Sequence, residues 1–157
     1  MRISANIITN EKLEVVFRMI DFFQDRKIPY QITGGLAGNL YGSAWKLHDI
    51  DLETHLEYLP EIEEAFYDHI ALPTKIYQDE EFSIWLLQLN FNGVTVDINA
   101  VEDFYIADSI KIETNLDEAR EMTFFGRKVK VQPLKDLIAY KKILKREVDV
   151  RDLSKLV

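Results

Sequence analysis

The chain has 157 residues, 19 Lys+Arg against 27 Asp+Glu, a formal net charge of −8 and no cysteine. This length suits one domain that buries roughly two-thirds of its unfolded surface, and 47% hydrophobic with 11% aromatic residues excludes a disordered or fibrous chain. Without cysteine, a disulfide scaffold, a thiolate zinc site and a cysteine nucleophile are excluded.

Residues 11–26 predict a helix capped by Asn10, because Leu13, Val16, Phe17, Ile20 and Phe23 recur at helical spacing and Pro29 marks the exit. Residues 30–33 read as a short strand running into Gly34-Gly35, followed by a short helix over 36–41 that Gly42 ends. Residues 49–53, Asp-Ile-Asp-Leu-Glu, alternate as a half-buried strand does. An acidic helix is expected from Pro60 to about residue 70. Strands over 82–89 and 94–100 join through Asn92-Gly93, a strong hairpin signal. Residues 124–131 form a further β segment turning near Gly126, Pro133 opens a helix over 134–146, and the last residues add a helical turn or two. The order predicts an α+β (α/β) fold, one domain over 1–157 with a mixed β-sheet, helices packed against it and a helical C-terminal segment over about 133–157. Phe17, Phe22, Phe23, Trp85 and Phe91 are expected in the core.

The stretch Met1-Arg2-Ile3-Ser4-Ala5-Asn6 has neither an apolar run nor a small-residue cleavage site, and the most apolar stretch, Phe82–Phe91, is broken by Gln88 and Asn90 and too short for a bilayer. A cytoplasmic protein with no membrane partner is the expectation. The charge is uneven: residues 1–110 hold 7 basic and 19 acidic side chains, residues 111–157 hold 12 and 8, so −12 and +4 sum to −8. Between Phe124 and Arg146 eight basic residues face Asp136 alone. An acidic chain is a poor general nucleic-acid binder, but a basic segment opposite an acidic one suits a metal-chelated anion.

Asp49 and Asp51 share one strand face, with Ile50 and Leu52 turned to the core. With 13 Asp in the chain, such a pair arises by chance about once, so its context matters more than its presence. Two carboxylates side by side repel unless a cation lies between them, and hard oxygen ligands favour Mg²⁺ or Mn²⁺. Gly34-Gly35 allows backbone N–H groups to approach phosphate oxygens at the start of the following helix. A metal site beside a phosphate cradle describes a nucleoside triphosphate pocket.

Ile32-Thr33-Gly34-Gly35 followed by Asp49-Ile50-Asp51-Leu52 resembles the signature of the nucleotidyltransferase superfamily of the DNA polymerase β type. With His48 before the carboxylates, it is most similar to the small bacterial aminoglycoside and lincosamide nucleotidyltransferases of antibiotic resistance. The resemblance implies a third carboxylate from a later strand, which Asp97 fits, and a helix lysine near the phosphates, which Lys141 fits. It also implies that an Arg/Asp run, here Arg146, Asp149 and Asp152, ties the last turns together. Asp49, Asp51 and Asp97 are then the catalytic and metal-binding set, and Thr33, Gly34, Gly35, Lys46 and Lys141 the nucleotide-binding set. Many members carry Arg and Thr or Ser four and two residues before the first aspartate, where this chain has Trp45 and Leu47; Lys46, one place off, is the nearest substitute.

Other features carry less. His48, His55 and His69 lack paired-ligand spacing for zinc, and no Gly-x-Ser-x-Gly elbow or Walker loop is present. Trp45 and Tyr41 are candidates for stacking at a pocket mouth or for packing. Glu57, Glu61, Glu63 and Glu64 form either a solvated face or a surface for a cationic acceptor. Three functions stay open: transfer of a nucleoside monophosphate from an NTP to a small-molecule hydroxyl, in a monomer or a homodimer; toxin–antitoxin-type transfer to a protein or a tRNA end; and a non-catalytic member that binds a nucleotide or a partner.

Overall fold

Helix α1 (Asn10–Asp25) buries Val15, Val16, Met19, Ile20 and Phe23; of the stripe expected from the spacing, Val16, Ile20 and Phe23 are buried, whereas Leu13 and Phe17 pack half-buried at the core margin and Val15 and Met19 complete the buried face. Its cap is Thr9 rather than Asn10: Thr9 has extended backbone and its hydroxyl accepts from Lys12 N at 3.3 Å, whereas Asn10 is already helical. The computed structural model describes residue 3, residues 6–107 and residues 109–157. Most of the N-terminal stretch read above for a targeting signal lies outside the described residues. Among the described residues, no helix is long and apolar enough to cross a membrane.

The chain then forms β1 (Tyr30–Thr33), α2 (Gly34–Leu40), β2 (Ile50–Thr54), α3 (Leu59–Ala65), β3 (Ile70–Gln78), β4 (Phe82–Phe91), β5 (Val94–Ala100), β6 (Tyr105–Ile106) and β7 (Ile110–Lys111). It ends with β8 (Arg120–Phe124), β9 (Arg127–Val131), α4 (Leu134–Ile143) and α5 (Glu147–Ser154). The strands form one mixed sheet: β1 is antiparallel to β2 and parallel to β9, and β2 is parallel to β5. β4 carries β5 and β6 along one edge and β3 along the other. An α+β domain with a mixed sheet is therefore what the sequence builds.

Several elements depart from expectation, among them β6 and β7, which have no counterpart in the sequence reading, and β8, which starts at Arg120 rather than near Phe124. α2 starts two residues earlier, at Gly34. The acidic helix stops at Ala65; a 3-10 turn over Tyr67–His69 takes the place of its expected last turn, and an unforeseen strand, β3, begins at Ile70. That strand is hard to read because it lies at an edge, its side chains are mostly exposed, and its register breaks between Ile70 and Lys75, around Pro73. The last helix is two: Lys145 takes a left-handed φ of 58° between α4 and α5. The Asn92-Gly93 hairpin forms as predicted, with φ of 53° and 97° at the two turn residues.

Register gives the two sheet faces opposite characters. Ile32, Leu52, Ile98 and Leu87 pair in one row across β1, β2, β5 and β4, and each is fully buried. They join α1, α2 and α3 in the core, where Phe23 and Phe91 are buried and Phe17, Phe22 and Trp85 pack at its margin. One residue along each strand, the row reads Thr33, Asp51, Asp97 and Gln88. One strand period further it reads Gln31, Glu53, Asn99 and Leu86. The alternation that buries the aliphatic row leaves the polar rows no choice but the opposite face.

Candidate active site

These polar rows floor a cavity of about 540 Å³, roofed in part by Leu137, Tyr140 and Lys141 of α4. Thr33, Gly34, Asp49, Asp51, Asp97 and Lys141 all line it. Gly35 and Lys46 do not: Gly35 is turned towards Leu47, and Lys46 is exposed on the loop before β2.

Gly34 is dictated by two constraints. Its φ of +61° is the left-handed region, and a Cβ there would run into the Asp51 side chain, with Cγ at 3.0 Å and Cβ at 3.1 Å. The backbone of the β1–α2 turn thus passes directly over the central carboxylate. Gly34→Ala is expected to destabilise the fold by about 1–3 kcal/mol through the strained backbone and, by pushing Asp51 aside, to weaken nucleotide binding; urea unfolding and nucleotide titration of the variant check both.

Asp51 and Asp97 face each other from adjacent parallel strands, with Asp49 just before β2 on the same face. Burial pushes the Asp51 carboxyl up to about 7, and the charges of Asp97 and Asp49 add to the rise while Lys141 opposes it. Asp97 is also raised, first by burial; its Oδ1 accepts from Gln88 Nε2 at 2.9 Å. Beneath them Glu53, not singled out in the sequence, is held on both oxygens: Gln31 Nε2 donates to Oε1 at 2.8 Å and Asn99 Nδ2 to Oε2 at 3.0 Å. Burial raises its carboxyl as well. The period-two run Asp49-x-Asp51-x-Glu53 was the available signal for it.

Crowded carboxylates, with Asp51 and Asp97 raised by burial, are the donor set that a hard divalent cation relieves, so the residues fit Mg²⁺ or Mn²⁺. They are not drawn into a closed cage: among the described residues no three acidic or histidine side chains are grouped as an ion site. Mg²⁺ commonly takes one or two carboxylates and completes its shell with substrate phosphates and water.

Lys141 reaches the cavity from α4 and is nearly buried, with Nζ 3.2 Å from Asp149 Oδ2 of α5 and 5.9 Å above the Trp45 ring. Trp45 packs rather than lining a pocket mouth. A Cβ on Gly38 would lie 2.5 Å from its ring, its carbonyl accepts from Asn39 Nδ2 at 2.8 Å, and its Nε1 donates to Asp152 Oδ2 at 3.1 Å. Tyr41 is likewise engaged, donating to the Gln132 carbonyl at 2.7 Å. Leu47 is buried, its carbonyl accepts from Lys12 Nζ at 2.8 Å, and its N–H donates to Ile7 O at 2.9 Å. Trp45 and Leu47, where the resemblance leads one to expect Arg and Thr or Ser, anchor the loop here, and among the described residues the cations lining the cavity are Lys141 and Arg146. The acidic α3 surface is separate: Glu61 pairs with Arg26 at 3.3 Å and Glu63 accepts from Thr74 N.

Residues 15–156 match the family model of aminoglycoside-2''-adenylyltransferase. A protein of Thermotoga maritima classed as a nucleotidyltransferase is 25% identical, with a TM-score of 0.77 over 96% of this chain and 94% of that one. A lincosamide antibiotic adenylyltransferase with lincomycin bound shares the fold at 16% identity and a TM-score of 0.64, over 97% of this chain and all (100%) of that one. So does ANT(2'')-Ia in complex with adenylyl-2''-tobramycin, at 19% identity and a TM-score of 0.59 over 93% of this chain and 89% of that one. No protein of curated function is significantly similar to it in sequence. Matched along 15–156 and carrying its carboxylates on one face of a mixed sheet, the chain belongs to the aminoglycoside-2''-adenylyltransferase family of nucleotidyltransferases.

Proposed function

We propose that this protein transfers a nucleoside monophosphate from an NTP to a hydroxyl of a small molecule, releasing pyrophosphate. The observation that carries the reading is the register pair Asp51–Asp97, beside Asp49 and under the Gly34 backbone, in a cavity that Lys141 helps to roof. Family membership and the antibiotic substrates of the structural neighbours support it.

Asp49 and Asp51, with Asp97 completing the set, would hold two divalent cations, Mg²⁺ or Mn²⁺. When bound, these ions neutralise charge on the triphosphate and on the departing pyrophosphate. The chain's own groups do the rest. The backbone at Thr33–Gly34 holds the phosphates close to Asp51, and the Lys141 ammonium balances their charge. Asp97 accepts the proton of the acceptor hydroxyl as its oxygen bonds to the α-phosphorus and the bond to the pyrophosphate oxygen breaks. The raised affinity of Asp97 for a proton favours this role, and Gln88 fixes the carboxylate's orientation.

The test is a thermal-shift panel with each of the four NTPs plus Mg²⁺ or Mn²⁺. A saturating triphosphate at 100 times its Kd should stabilise the protein by about 2.7 kcal/mol, with no shift for metal-free nucleotide. No shift with any pair would overturn the reading, and label appearing on protein or tRNA from a cell extract would move the acceptor to a macromolecule.

A further inference from the structure

The two cations that line the cavity are not equally engaged. Lys141 is nearly buried, and its charge is met by Asp149 at 3.2 Å. Arg146 is exposed, and its ion-pair partner among the described residues is the exposed Glu81, with Nη2 3.3 and 3.4 Å from the two carboxylate oxygens. An exposed pair of this kind is weak in water. A phosphoryl group, which accepts two parallel hydrogen bonds from a guanidinium, can therefore displace the carboxylate.

Arg146 also belongs to a second recess, of about 300 Å³, at the corner between α4 and α5, shared with Lys142, Lys145 and Arg151. Glu147 is the one carboxylate lining it among the described residues. The left-handed φ of 58° at Lys145 ends α4 and turns the chain, so cations from the end of α4 and from α5 reach the same space. All four are exposed; among the described residues Lys142 and Lys145 make no ion pair, and Arg151 makes only a long one, 3.9 Å from Asp152. Cations gathered with so little counter-charge repel one another, and an anion between them relieves that. The cavity has the opposite character, with Asp49, Asp51, Glu53, Asp79 and Asp97 against Lys141 and Arg146. A highly charged anion released there is repelled by the floor and drawn to the corner, and Arg146 is the residue the two spaces share.

Building on the nucleotidyl-transfer reading, we infer that the α4–α5 corner is a diphosphate site, where the pyrophosphate released from the triphosphate rests as it leaves, passed by Arg146 from the cavity to Lys142, Lys145 and Arg151. The bond to the α-phosphorus is already broken at that stage, so the site adds no covalent step. Cations from four positions around one recess suit an anion with two phosphoryl groups better than an anion with one.

The experiment titrates the full chain calorimetrically with inorganic pyrophosphate and Mg²⁺, and separately with the α,β-methylene analogue of whichever NTP gives a thermal shift. Lys145→Ala/Arg151→Ala should weaken pyrophosphate about tenfold, and about five times more than it weakens the analogue, whose phosphates lie at Gly34 and Lys141. In turnover, the same variant should need correspondingly more pyrophosphate for product inhibition. Lys128→Ala/Lys130→Ala, which removes as much charge from the β8–β9 hairpin, should change pyrophosphate affinity by less than about twofold. Glu81→Gln, which frees Arg146, should tighten pyrophosphate about two- to threefold. All five altered side chains are exposed, so the core is untouched. Absence of binding by every triphosphate analogue would sink the nucleotidyl-transfer reading and this inference with it. Analogue binding without pyrophosphate binding, or an equal loss of both ligands in Lys145→Ala/Arg151→Ala, would overturn the diphosphate site alone. So would an equal loss of pyrophosphate affinity in the hairpin variant, or orthophosphate binding as tightly as pyrophosphate.

Discussion

Asp51→Asn is expected to make the metal-free protein more stable at pH 8 while lowering nucleotidyl transfer about a thousandfold or more, the loss of several kcal/mol of transition-state stabilisation. The two effects have one cause. In the folded protein the Asp51 carboxyl keeps its proton up to about pH 7, whereas its ordinary value is 3.8. Between those values the folded state binds more protons than the unfolded state, so stability falls as pH rises, by up to about 1.4 kcal/mol per pH unit, and levels off above about pH 7. Glu53 and Asp97, both raised by burial, push in the same direction. Removing the Asp51 charge should therefore recover about 2–4 kcal/mol at pH 8 and very little at pH 4. Differential scanning calorimetry from pH 4 to 8 measures this. The wild type without metal should lose stability as pH rises, the variant should show a flatter profile, and Mg²⁺ with nucleotide should flatten the wild-type profile, because a cation takes the place of the proton. A variant less stable than wild type at every pH would mean that Asp51 holds the fold rather than a cation.

Asp97→Asn should lower kcat by about 10²–10⁴-fold, the usual contribution of a positioned general base. The amide oxygen can still accept from Gln88 Nε2, so the fold and the floor of the cavity should persist. The distinguishing measurement is the pH–rate profile. In the wild type, activity should decline on the acid side with a midpoint above the ordinary carboxylate range, since burial raises Asp97. In Asp97→Asn that limb should lose its Asp97 component, and KM for the nucleotide should change only a few-fold. A large rise in KM with kcat nearly intact would confine Asp97 to nucleotide binding and leave the proton to another group.

The contrast between these carboxylates and Glu53 shows how environment divides chemically similar groups. Asp49, Asp51 and Asp97 present crowded, largely unpaired oxygens to the cavity, while Glu53, two residues from Asp51 on the same face, has each oxygen bound by a side-chain amide. A carboxylate fully supplied with donors has little left to offer a cation or a substrate, so Glu53 is best described as the support on which the reacting row rests. The same logic applies at the roof. Lys141 is held by Asp149 and lies over Trp45, whose indole is in turn held by Asp152, so α5 sets where the α4 ammonium enters the cavity.

Much of this was legible without coordinates because it depends on local rules. Period-two alternation put Asp49 and Asp51 opposite Ile50 and Leu52, Asn92-Gly93 specified a tight hairpin, and the stripe from Leu13 to Phe23 specified a helix with one buried face. The strand β3 escaped because Pro73 and the broken register of an edge erase the alternation by which strands are recognised. What only the tertiary structure decided is register and packing. The sequence separates Asp51 from Asp97 by 46 positions, and it is the parallel pairing of β2 with β5 that sets them side by side. Likewise, nothing local distinguishes Gly34 from Gly35 or Lys141 from Lys46; folding brings one of each to the cavity and turns the other away. The uneven charge of the chain was visible from composition, but only the folded sheet shows which carboxylates are occupied by amides and which are left exposed to a cation, because that depends on partners supplied by other strands.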